Sequence, residues 1–104
     1  MIRCSQCRGD LEQGGMLGCA ASICGSILGD ECIESYYFCD RCGVYTVKIC
    51  FDLFLGGESV SIHGPIPRAE GDTAIELIKQ CSTPWDKKCR CSAHISYFKD
   101  SALD

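Results

Sequence analysis

Apolar side chains occupy the odd positions from Tyr45 through Val47, Ile49, Phe51, Leu53 and Leu55, while Thr46, Lys48, Cys50 and Asp52 take even ones. Successive strand residues point to opposite faces, so the alternation predicts a half-buried strand. Gly56-Gly57 supplies a two-residue turn. Val60 and Ile62 then alternate with Ser59, Ser61 and His63, which reads as the returning strand of a hairpin. Upstream, the aromatic run Tyr36-Tyr37-Phe38 suits a third strand. A proline loop follows the hairpin at 64–68. A helix is then expected over about 73–82, because Thr73 and Glu76 have capping-box spacing and Ala74, Ile75, Leu77 and Ile78 supply its apolar positions. Pro84 stops it.

With 104 residues the chain has room for one small domain and an appended lobe. The predicted organisation is small α+β: an antiparallel sheet of about three strands in residues 1–68, interrupted by a Gly-rich, Cys-containing insert at 13–32. The helix and a Cys/His-rich, metal-bound tail in 69–104 are expected to pack on it. The hydrophobic share is 46%, but it counts the 11 cysteines. Without them little more than a third of the chain is apolar, so staples are expected to carry part of the stability.

Those staples read as metal rather than disulfide. The cysteine count is odd, several pairs are too close in sequence for ordinary structural disulfides, and no secretory pattern precedes the first pair. A reducing, cytoplasmic setting is expected. The one apolar stretch near the start, Met16 to Leu28, is broken by Cys19, Ser22, Cys24 and Ser26 and is too short to span a bilayer.

Two CxxC pairs are present, Cys4-Ser5-Gln6-Cys7-Arg8-Gly9 and Cys39-Asp40-Arg41-Cys42-Gly43. A CxxC turn presents two sulfurs to one side of a tetrahedral ion, and two such turns complete the shell. The glycine after each pair is expected to take a positive φ and aim amides at the thiolates. Here the chain resembles the zinc-ribbon group, over roughly residues 2–63. The resemblance implies that Cys4, Cys7, Cys39 and Cys42 hold one structural zinc, with the two knuckles at the ends of a small antiparallel sheet. The three cysteines of the insert depart from an ordinary ribbon.

Cys81, Cys89, Cys91 and His94 form a second candidate set, matching a Cys3His shell in ligand type. Lys87, Lys88 and Arg90 are positioned to depress the thiol pKa values. Cys19, Cys24 and Cys32 are a weaker third cluster. An iron–sulfur cluster at the tail or insert is the alternative cofactor, although the third cluster's spacing fits no ferredoxin run and buried structural thiols are its plainer reading. Cys50, on the polar strand face, reads as a lone thiol and His63 as a surface residue; Trp85 is expected to cap a small core.

The net charge of −4 disfavours nonspecific nucleic-acid binding, with Lys87, Lys88 and Arg90 as the one basic patch. Redox catalysis would need a CxxC opening a helix in a βαβ setting, whereas these pairs flank strands. The expectation is therefore a non-enzymatic, zinc-stabilised binding or accessory module that contacts another protein. An iron–sulfur or metal-handling protein, acting as chaperone or electron carrier, is the alternative.

Overall fold

The structure, a computed structural model, describes residues 3–9, 11, 19–27, 30–52 and 56–98. Strands β1 (Cys19–Ile27), β2 (Asp30–Cys39), β3 (Val44–Asp52) and β4 (Glu58–Pro67) form one sheet in the order β1-β2-β3-β4. Every neighbouring pair is antiparallel, so the chain meanders across the sheet without a crossover. Helices α1 (Arg68–Lys79) and α2 (Ser92–Tyr97) follow.

The small α+β architecture is the expected one, with one strand more. β1 is drawn from the stretch taken as an insert. Its alternation is muted because its inward positions carry Ala21, Ile23 and Gly25. The end of the expected strand, with Leu53 and Leu55, lies outside the described residues, as does part of the insert.

Both helices pack on one face of the sheet. Ile23 of β1, Tyr36 of β2, Tyr45 and Val47 of β3, Ile75 and Ile78 of α1 and Phe98 after α2 form the main buried cluster. On α1 the buried residues are Gly71, Ile75 and Ile78, one stripe at helical spacing. Glu34 shares the helix-side face with Ile23 and Ile49. Its carboxylate is satisfied by the Tyr97 hydroxyl at 2.6 Å, which in turn accepts from Tyr36 at 2.7 Å. Burial, and then the Glu34 charge, hold the Tyr97 phenol far above its ordinary pKa.

The helix begins earlier than the capping pattern suggests. Pro67, with φ −54°, occupies the N-cap, and no side chain caps the terminus. Thr73 lies inside the helix, where its hydroxyl donates back to the Ala69 carbonyl at 2.9 Å. The helix also ends earlier, at Lys79, so Pro84 does not terminate it. The expected proline loop is largely strand, because β4 runs to Pro67 as an edge strand and an edge tolerates a residue without an amide hydrogen.

The polar face of β3 is not uniformly solvated either. Thr46 is fully buried, its hydroxyl accepting the Ser5 amide at 2.9 Å and lying 3.0 Å from the Ser5 hydroxyl. The N-terminal segment thus covers the sheet face opposite the helices. Cys4, Leu11 and Cys39 form a second small buried cluster there, with Tyr37, Cys42 and Val44 against it.

Candidate metal centres

Both sequence-predicted quartets converge. In Cys4, Cys7, Cys39 and Cys42 the ligand atoms lie within 4.8 Å of one another, and the same holds for Cys81, Cys89, Cys91 and His94. All the cysteines are free thiols.

The first quartet is made by two turns of the same construction. The Arg8 amide donates to the Cys4 carbonyl at 3.0 Å, and the Gly43 amide donates to the Cys39 carbonyl at 2.8 Å. The donor residue is left-handed in both, with φ +67° at Arg8 and +66° at Gly43. Glycine takes the left-handed conformation in the second knuckle as expected, but in the first it falls on Arg8. Gly9 has a different use: a Cβ there would collide with the Arg41 guanidinium. That guanidinium approaches the Cys7 sulfur at 3.7 Å, a positive charge beside a candidate ligand that sequence spacing did not flag.

Cys4 is fully buried, Cys39 nearly so, and Cys7 is exposed. Burial works to raise the Cys4 thiol, but the amides of Cys7 and Gln6, at 3.5 and 3.4 Å, and its thiol neighbours outweigh it, bringing the pKa down to about 6. Its neighbour Cys42, 3.9 Å away, is pushed up to about 12 by its hydrogen bond with Cys7 and by desolvation. In the absence of a cation the cluster therefore resists carrying negative charge on all its sulfurs.

In the second quartet α1 delivers Cys81 just beyond its C-terminus, where the Cys81 amide donates to the Ile78 carbonyl at 3.0 Å. The chain then folds through short turns, with the Asp86 amide on the Thr83 carbonyl and the Cys89 amide on the Asp86 carbonyl, both at 3.0 Å. Cys91 caps α2, its sulfur accepting the His94 amide at 3.4 Å.

His94 is fully buried, and its Nε2 lies 2.7 Å from the Cys24 carbonyl of β1. A carbonyl can only accept, so Nε2 carries the proton and the Nδ1 lone pair faces Cys81 at 3.4 Å. An outer partner that fixes the tautomer is how protein sites orient a ligating imidazole. The Cys24 amide meanwhile donates to the Pro84 carbonyl at 2.7 Å, so the tail is stitched to the β1 edge on both sides of one residue.

Cys89 is brought down to about 6 by the Thr83 hydroxyl and then the Cys91 amide. Burial pushes Cys81 up to about 11. Two of the three basic residues expected to depress these thiols, Lys87 and Arg90, are directed elsewhere. Lys87 pairs with Glu31 at 3.3 Å, and the Arg90 guanidinium donates to the carbonyls of Lys87 and Cys89.

The edges of both quartets fit a single tetrahedral ion. Metal–sulfur bonds of about 2.3 Å give tetrahedral edges of about 3.8 Å. The sulfurs of Cys4 and Cys42 are 3.9 Å apart, those of Cys7 and Cys39 3.8 Å, and those of Cys81 and Cys89 3.6 Å. Each set can therefore hold one ion with every position filled by protein.

The third cluster does not assemble. Gly25 is paired with Cys32 and Cys24 with Ile33, so Cys24 and Cys32 point to opposite faces of the sheet. Cys19 lies at the far end of β1, beside a register shift. Cys32 is fully buried with its thiol pushed up to about 12, first by burial and then by Glu34. This is the condition of an inert structural thiol. Cys50 is half-buried and joins no quartet among the described residues. His63 is exposed, with Nε2 3.2 Å from the Ser61 hydroxyl. Trp85 caps nothing: it is 73% exposed, because the tail's ligands turn inward and leave it on the outer side of the loop.

No family model, curated protein or solved structure matches this chain. Among the described residues, no helix is long and apolar enough to cross a membrane.

Proposed function

We propose that the chain is a zinc-stabilised, ribbon-like binding or accessory module of the cytoplasm that acts through contacts with another protein. One zinc is held by Cys4, Cys7, Cys39 and Cys42 and a second by Cys81, Cys89, Cys91 and His94. The observation that carries this reading is that both quartets have the edge lengths of a single-ion tetrahedron with no position left open. A closed shell is the structural form of zinc, whereas catalytic zinc keeps a position for water or substrate. A cluster of several irons would hold the four donors farther apart, so the same distances weigh against the iron–sulfur alternative at the tail. The insert cysteines, divided between two faces, weigh against it there.

With metal in both sites the protein's chemistry is that of a scaffold. The thiolates are spent on ligation, and what remains for partners is surface, including the exposed Trp85, Val60 and Ile62. Metal analysis of protein purified without oxygen tests the proposal. Two zinc ions per chain, no visible chromophore and loss of the circular dichroism spectrum on chelation are the expected results. Metal-free protein with an unchanged spectrum would overturn it, and iron with visible absorption would transfer the assignment to a cluster.

A further inference from the structure

The two edges of the sheet are finished differently. Along β1, the tail takes up both the amide and the carbonyl of Cys24. Along β4, no backbone group of another element bonds to the outer side among the described residues. Residues 58–65 are all exposed, with Val60 at 52% and Ile62 at 49%.

Open edges invite strand pairing, and proteins usually blunt them with lysine, proline, bulges or a covering segment. From Glu58 to His63 this strand has no lysine, arginine or proline, and its pairing with β3 runs in unbroken register from Asp52↔Glu58 to Val47↔His63. The blunting devices come only afterwards, with the register shift before Ile66 and the prolines at 65 and 67.

We propose that β4 pairs antiparallel with β4 of a second copy of this chain, the two Ser61 residues lying opposite each other, so that one sheet continues across both molecules. The partner is specified by the strand's self-complementarity. Strand side chains alternate with period two, so a twofold pairing keeps like faces together only when it is centred on a residue. Centred on Ser61, it sets Val60 opposite Ile62, Ser59 opposite His63, and Glu58 opposite Gly64. Both half-exposed β-branched residues then meet each other, and no like charges are opposed. Centring on Val60 would put the Glu58 carboxylate against Ile62, and centring on Ile62 would require Ser59 to pair with Pro65. The apolar row formed by Val60 and Ile62 would extend one that already includes Cys50, which is paired with Val60.

So short an edge buries less than the roughly 800 Å² per partner of a standard stable interface, so the dimer is weak and concentration-dependent. Sedimentation velocity on the zinc-loaded full chain, from micromolar to millimolar concentration, tests this. The native chain should pass from monomer to dimer. Combining Val60→Lys with Ile62→Lys should weaken dimerisation about tenfold or more while leaving metal content and circular dichroism unchanged, because ammonium groups then face each other across the edge. Combining Val60→Lys with Ile62→Glu sets opposite charges face to face in this register and should restore it. A native chain that stays monomeric at millimolar concentration would overturn the proposal. So would a charge-paired variant that dimerises no better than the double lysine.

Discussion

Replacing Gly71 by alanine should destabilise this protein, although the same change in an exposed helix interior is worth about 1 kcal/mol of added stability. Gly71 lies on the buried stripe of α1, against the ring of Tyr45. A Cβ at this position would stand 2.6 Å from Cε2 and 2.8 Å from Cγ of that ring, and nearer still to Cδ2. Carbon atoms pack at about 3.5–4.0 Å, so ring and helix must separate by about 1 Å. The ring is not free to yield. Tyr45 is buried, its hydroxyl donates to Asp72 Oδ1 at 2.5 Å, and Phe38 packs against it at a centroid distance of 4.9 Å. Because Asp72 adjoins Gly71, moving the helix also drags the acceptor away. Overpacking of this kind costs about 1–3 kcal/mol against a propensity gain of about 1 kcal/mol, so a net loss of up to about 2 kcal/mol is expected. For a domain of this size that lowers the melting temperature by about 4–8 °C per kcal/mol. The assay is thermal unfolding with zinc in excess, for Gly71→Ala alone and combined with Tyr45→Val. In the second background the obstruction is gone and the penalty of Gly71→Ala should disappear. A melting temperature raised by Gly71→Ala in the native background would refute the reasoning.

The two left-handed knuckle residues give a mirrored pair: Arg8→Gly should stabilise by about 0.5–1 kcal/mol and Gly43→Ala should destabilise by about 1 kcal/mol or more, read as shifts in denaturation midpoint. Cys42→Ser should abolish folding at zinc levels that saturate the native chain, since ribbon-type binding energy of about 10–16 kcal/mol is folding energy. Cys50→Ser should change stability by no more than about 0.5 kcal/mol, and equal effects of the two serine substitutions would show that Cys42 is not a ligand. The thiols of Cys4 and Cys89 are depressed from an ordinary value of 9.0 to about 6 in the fold, so their contribution is in place above pH 9 and is lost as pH falls through 6. Metal retention should fail in that acid limb, as the metal content left after dialysis at stepwise lower pH would read out.

What could be read from the chain was whatever is written in side-chain type at short range. Both quartets were legible because metal ligation demands particular donors and a knuckle or short loop keeps them close in sequence. The alternation along β3 was legible because its inward residues are large. β1 was not, because Ala21 and Gly25 carry too little hydrophobicity to mark a face. The helix was found but misplaced, since Thr73 and Glu76 satisfy a capping pattern anywhere along a helix, whereas the observed start is fixed by the backbone of Pro67. The third cysteine cluster failed on strand geometry. Neighbouring strands in register sent Cys24 and Cys32 to opposite faces, a relation that exists only once β1 is recognised. Trp85 failed for a related reason: covering it requires a surface to fold under, and the tail's interior is occupied by ligands.

The contact most consequential for the tail leaves no trace in side-chain pattern, because the Cys24 groups that receive His94 and Pro84 are a backbone carbonyl and amide. It also explains why a chain with so lean a core would use two metals rather than one. The first quartet joins the N-terminal segment to the β2–β3 turn and seats Ser5 over Thr46, closing the sheet face that the helices do not reach. It does nothing for the β1 edge, which lies beyond β2. That edge is closed by residues 84–94, a segment whose one large apolar side chain, Trp85, is solvent-exposed. Ordering such a segment costs about 1–2 kcal/mol per residue, and a single buried imidazole hydrogen bond is far too small to offset it. A metal shared by Cys81 at the end of α1 and by Cys89, Cys91 and His94 would draw the segment back onto the helix. In doing so it would hold the imidazole where it meets Cys24, making the second site the clasp of the edge that the first site leaves open.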